Sequence, residues 1–252
     1  MNLTYIFRAL NAEMLKLKRT VALRVAVIAP MVVIVVMSLV YHQREPAGVT
    51  GFDLWVRFSQ EILGLWALLM LPLFVTLEAA LLGALESSEK NWKHLFALPI
   101  PRGAIYSAKI ITTIGIIGLS KIVLLIGAIL AGLLLGLLKP HYQLSLASFP
   151  FRHVAQMYLT TYFLAWLMIT IQMWVSVRWQ SFTVSVSTGI SATVFGYMLI
   201  NSQKWGKIYP WTLPVNVLAQ NGNITRALLI SLIGGLVIAI IGGWEFIRRD
   251  VA

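Results

Sequence analysis

Cysteine is absent from this 252-residue chain. That excludes disulfides and thiolate metal sites, and it leaves redox chemistry silent about the compartment. Charge is scarce: 12% of residues are charged and 59% hydrophobic, with a mean hydropathy of +0.82. Soluble domains carry about twice that share of charge, near 25%, so composition assigns the chain to a bilayer. Acidic residues are the rarest, nine against 20 Lys and Arg, for a formal net charge of +11. No basic stretch is interleaved with stacking aromatics, so the excess does not read as a nucleic-acid surface. It reads as cations gathered at the cytoplasmic ends of membrane helices against anionic lipid.

Catalytic signatures are also missing. There is no Gly-x-x-x-x-Gly-Lys-Ser/Thr loop and no His-Glu-x-x-His, and no Gly-x-Ser-x-Gly elbow. The histidines, His42, His94, His141 and His153, are scattered rather than spaced as ligands. The sequence therefore predicts no catalytic, cofactor-binding or metal site of its own.

What is present is long apolar runs. A bilayer core of about 30 Å needs about 20 apolar residues of helix. Spans are predicted near 22–41, 60–84, 108–138, 154–177, 182–200 and 225–246, in a single transmembrane domain over 1–252. The third run is long enough to tilt or to extend into water. Arg178 to Ser181 reads as a tight turn between the fourth and fifth. The first run follows Arg24 with no small-residue cleavage site after it, so it is expected to be a permanent span. The fold class expected is an all-α integral membrane protein.

Six spans put both termini on one side. That side collects Arg8, Lys16, Lys18, Arg19, Arg24, Lys90, Lys93, Arg102, Lys109, Arg178, Arg248 and Arg249. The other side holds Arg44, Arg57, Lys139, Arg152, Lys204, Lys207 and Arg226. The bias around the first span is the clearest, so both termini are expected in the cytoplasm. Ahead of that span Leu3, Ile6, Phe7, Leu10, Met14 and Leu17 recur at helical spacing. Glu13, Lys16, Lys18 and Arg19 fill the other faces, which predicts an amphipathic helix in the inner headgroup region.

Two charges fall inside apolar runs, Glu78 in the second and Lys121 in the third. A lone charge at mid-membrane costs about 2.5–3.5 kcal/mol on insertion scales. The two are expected to pair or to line one polar cavity, and the alternative is separate snorkelling to the inner interface. In the fourth span Gln156, Thr160, Thr161, Thr170 and Gln172 either glue helices or line a path; helix glue is the reading taken. Small residues along the fifth and sixth spans, such as Ser185 with Gly189 and Gly234 with Gly235, suit close bundle packing. Residues 201–225, with Trp205, Tyr209, Pro210, Trp211 and Pro214, suit the outer interface. No internal repeat relates the two halves.

The stretch after the second span is the most informative. Glu86 and Glu89 open it, Trp92, Lys93, Leu95 and Phe96 follow, and Leu98 and Pro99 close it ahead of Pro101 and Arg102. This predicts a short amphipathic helix ended by a rigid turn, suited to docking in a groove of a soluble partner. The bland alternative is an interfacial connector.

Ala12 to Thr20 resembles the N-terminal segment of type-2 (ABC-2 type) ABC exporter permeases. Glu86 to Lys109 resembles the loop after their second span, and Tyr209-Pro-Trp-x-Leu-Pro214 is similar to their outer loop in the branch that includes lantibiotic and bacitracin immunity permeases. The resemblance implies two permease subunits, identical or homologous, above two separate P-loop ATPase subunits, with ATP bound by those partners and no cofactor on this chain. It implies that 86–101 is the helix coupling to the ATPase, with the 3–19 helix beside it. It further implies a bacterial cytoplasmic membrane and amphipathic or hydrophobic cargo such as peptide antibiotics, drugs or lipids. The competing expectation is a secondary transporter running on an ion gradient through Glu78 and Lys121.

Overall fold

A computed structural model describes residues 3–17, 20–44, 48, 50–87, 101–218 and 223–248. It is all-helical, with no strand among the described residues. The elements are α1 (Leu3–Leu17), α2 (Val21–Gln43), α3 (Gly51–Leu65), a π-helical segment (Trp66–Met70), α4 (Leu71–Ser87), α5 (Arg102–Leu138), α6 (Phe151–Leu164), α7 (Trp166–Trp179), α8 (Phe182–Leu199), α9 (Leu213–Leu218) and α10 (Ile224–Arg248). Six helical stretches are long and apolar enough to cross a bilayer: α2, α3 with α4, α5, α6 with α7, α8 and α10. The termini share one side, called near here; the opposite side is far.

Two helices outrun their apolar segments. The second span begins at Gly51, where a glycine with φ of +60° turns the chain into the helix. The third begins at Arg102, straight after Pro101. At 1.5 Å per residue α5 is about 55 Å long and projects beyond a 30 Å core. Helix continuity depends on local hydrogen bonding, whereas the apolar run reports only the part in lipid.

Both composite spans are broken where another helix repairs the backbone. Pro72 has no N–H to offer the Leu68 carbonyl four residues earlier. The chain passes through the π segment there, and the Tyr197 hydroxyl of α8 donates to that carbonyl at 2.9 Å. Between α6 and α7 the helix breaks at Ala165. Ser231 of α10 enters the gap: its Oγ donates toward the Phe163 and Leu164 carbonyls, at 2.8 and 2.9 Å, and accepts from the Leu167 N–H at 3.3 Å. Gly235, one turn on, lets the two backbones approach; a Cβ there would lie 3.4 Å from the Leu167 nitrogen. In lipid such freed backbone groups must find partners inside the protein.

The main core runs through α2, α3, α4, α5 and α6, around Trp55, Phe58, Trp66 and Leu124, all with no exposed surface. α2 lies along α5, α7 along α10, and α4 against α7 and α8. The turn between α7 and α8 is as tight as expected: Gln180 takes the left-handed conformation and Ser181 caps α8. On the far side 201–212 fold into turns against α8, with the Tyr209 hydroxyl donating to the Ala192 carbonyl at 2.8 Å.

Candidate functional site

The near-side layer is pinned by charge. α1 lies against α5, and Lys109 meets Glu13 at 3.4 Å with side-chain exposures of 1% and 6%. Lys16, one turn along α1, holds the same carboxylate at 2.9 Å. Burial pushes the Glu13 carboxyl up, but Lys109 and Lys16 outweigh that and hold it below its ordinary value of 4.5. Across the same layer Glu245 of α10 pairs with Arg178 of α7 and accepts the Trp174 indole N–H at 2.9 Å. Arg102 reaches the Ile247 carbonyl at 3.4 Å. The ends of α1, α5, α7 and α10 are thus tied together.

The predicted coupling stretch connects α4 to α5 along the chain. Glu86 lies in the last turn of α4; Glu89, Trp92, Lys93, Leu95, Phe96, Leu98 and Pro99 lie outside the described residues, as do Lys18 and Arg19. The stretch runs from the near end of α4 to the near end of α5, two turns before Lys109.

Glu78 and Lys121 are not brought together. Both Glu78 oxygens and the Lys121 ammonium are buried without a hydrogen-bond partner among the described residues, and Lys121 lies over the Tyr158 ring, 5.4 Å from its centroid. Helix α7 serves as a ruler for why. Thr113 of α5 contacts Met173, and the Ser176 Oγ of α7 donates to the Ala79 carbonyl of α4 at 2.6 Å. Counting 1.5 Å per residue from these contacts puts Lys121 about 15 Å farther along the bundle axis than Glu78.

The polar residues of the fourth span divide into two sets. Gln172 is glue: its Nε2 donates to the Ser185 carbonyl at 2.7 Å. Thr170 and Thr161 bond their own helix. Gln156 and Thr160, with Thr161 beside them, line a far-side cavity of about 370 Å³ between α3 and α6, with Gln60 and His153 also on its walls. Gln60 carried no signal in the sequence reading. His153, Gln156 and Thr160 did carry one, since spacings of three and four put them on one helix face. A second space, about 620 Å³, lies between the far halves of α2 and α5 and is apolar apart from Ser38 and His42. Among the described residues no three His, Asp or Glu side chains converge as metal ligands.

Six apolar spans, backbone breaks repaired from within, and a charge-tied layer at one end define a multi-pass membrane protein. The family model of the ABC-2 family transporter protein matches residues 9–198, about three quarters of the chain. This chain belongs to that family. The match runs from α1 through α8. No curated protein and no solved structure matches the chain.

Proposed function

We propose that the chain is the permease subunit of an ABC exporter, with its near side in the cytoplasm of a bacterial cell. Family membership across α1–α8 carries this reading. Such a subunit spans the membrane while a separate ATP-binding subunit supplies the energy. Two ATPase subunits would sit below, and a second permease, identical or homologous, would complete the pathway. The 86–101 stretch docks on the ATPase, and movement there reaches α5 directly and α1 through Lys109 and Glu13. The cargo is amphipathic or hydrophobic: a peptide antibiotic, a drug or a lipid. The apolar space between α2 and α5 supports this, because it offers such molecules a surface already within the bilayer. The resemblance to the lantibiotic and bacitracin immunity branch favours a role in antibiotic resistance.

The test is co-purification from mild detergent of the tagged chain, beside a variant with Trp92→Ala, Leu95→Ala and Phe96→Ala. A P-loop ATPase accompanies the native chain and is lost from the variant. Absence of any ATPase, even after cross-linking, would sink the reading. The second reading, a gradient-driven transporter, is kept alive by the unpartnered burial of Glu78 and Lys121. It requires transport that persists without ATP and stops in Glu78→Gln.

A further inference from the structure

We infer that the far-side cavity between α3 and α6 is a binding site for an uncharged, amide-bearing part of an amphipathic molecule. Gln60, His153, Gln156 and Thr160 bring donors and acceptors to one space of about 370 Å³, a size within the usual range for small-ligand sites. None of these four side chains hydrogen-bonds another described residue, whereas Thr161 on the same wall and Gln172 and Thr170 farther along the span are satisfied. All four lie on helices that cross the membrane. His153 and Gln156 are exposed and Gln60 and Thr160 half-buried, so the space opens to the outside rather than being sealed in the core. These groups gather on two facing walls of one open cavity, which leaves their donors and acceptors available to a ligand rather than spent on gluing helices.

The lining also narrows the occupant. Among the described residues it contains no Lys, Arg, Asp or Glu, so nothing there offsets a formal charge. Glutamine amides and a threonine hydroxyl each donate and accept, which matches a group that does both at adjacent atoms, as an amide does. Met157, Leu218 and Ile224 supply apolar wall beside them. Among the described residues no Phe, Tyr or Trp lines the space, so it lacks the flat faces on which a sugar ring packs. The inference stands apart from the exporter assignment, because it needs neither an ATPase nor transport.

With no native cysteine, single substitutions report without background. Gln156→Cys and Thr160→Cys test the cavity wall; Leu159→Cys, at a position 56% exposed on another face of α6, is the control. Each full-length variant in sealed vesicles is treated with a membrane-impermeant thiol reagent on each side in turn. The treatment is repeated with N-acetyl-leucine amide or glucose present. Both cavity positions should react from one side only, on the order of tenfold faster than the control, because thiolate forms only where water reaches. N-acetyl-leucine amide should slow both, and glucose should not. Reaction no faster than the control would mean a dry cavity and overturn the proposal. Protection by glucose instead, or fast reaction that neither compound slows, would overturn the amide assignment. Unchanged unfolding midpoints separate these outcomes from a displaced α6.

Discussion

The junction of α1 with α5 and the cavity between α3 and α6 treat polar side chains in opposite ways. At the junction, Glu13 and Lys109 are buried and answered by opposite charge within 3.4 Å. In the cavity, Gln60, Gln156 and Thr160 carry no charge and find no hydrogen-bond partner among the described residues. Taking one partner away from a buried ion pair is strongly destabilising, so a closed pair holds its two helices together. A neutral amide can wait for water or a ligand at smaller cost. The near-side layer is therefore suited to transmitting force between helices, and the far-side cavity to exchanging its contents.

The sharpest way to break this comparison is to open the ion pair. Lys109→Met should lower unfolding stability by about 1.5–3 kcal/mol, because it removes one of the two cations on a buried carboxylate and leaves Lys16 in place. The double variant with Glu13→Ala should recover much of that loss. The measurement is the denaturant midpoint in mild detergent; equal losses for single and double variants would mean that the pair is not coupled. The same contact sets a pH dependence. The Glu13 carboxyl titrates below its ordinary 4.5 in the folded protein. Its contribution is therefore complete above about 4.5 and lost as pH falls through the lower, folded value. The native chain should lose stability in that acidic window, with a shallower decline in Glu13→Gln.

Between the two regions stand the repaired backbone breaks. Ser231→Ala leaves the Phe163 and Leu164 carbonyls and the Leu167 N–H short of a partner. It should cost about 1–3 kcal/mol, with faster amide exchange confined to the α6–α7 joint. Tyr197→Phe removes the donor to the Leu68 carbonyl and should cost about 1 kcal/mol, with exchange rising around the π segment. The smallest effect belongs to the cavity wall: Gln60→Leu should change stability by no more than about 0.5 kcal/mol. A large loss there would show that Gln60 is structural and erase the contrast.

The six spans were legible because each apolar run declares itself without its neighbours. The N-terminal helix was legible as a helix but its facing was not: Glu13, read onto a polar outer face, is buried against α5 while Phe7 and Met14 are exposed, and nothing in the sequence identified Lys109 as the partner of Glu13. Glu78 and Lys121 were flagged for the right reason, the cost of burial, but expected together; helix register along α7 separates them. Gln156 and Thr160 were grouped with Gln172 as glue, although the shared face of His153, Gln156 and Thr160 already set them apart. Ser231 reads as one more small residue in an apolar helix. Its role exists only because α6 breaks beside it.

The sequence alone determined that this chain crosses a membrane six times with its ends on one side. Hydropathy is summed along a single segment, and lipid requires that each segment satisfy its own backbone. Tertiary structure alone decided which polar groups meet: Glu13 with Lys109, Ser231 with the α6–α7 break, Gln60 across from Gln156. Those meetings depend on how far one long helix slides and turns against the next, and each residue of slip moves a side chain by 1.5 Å and 100°. No property of an isolated segment records that offset.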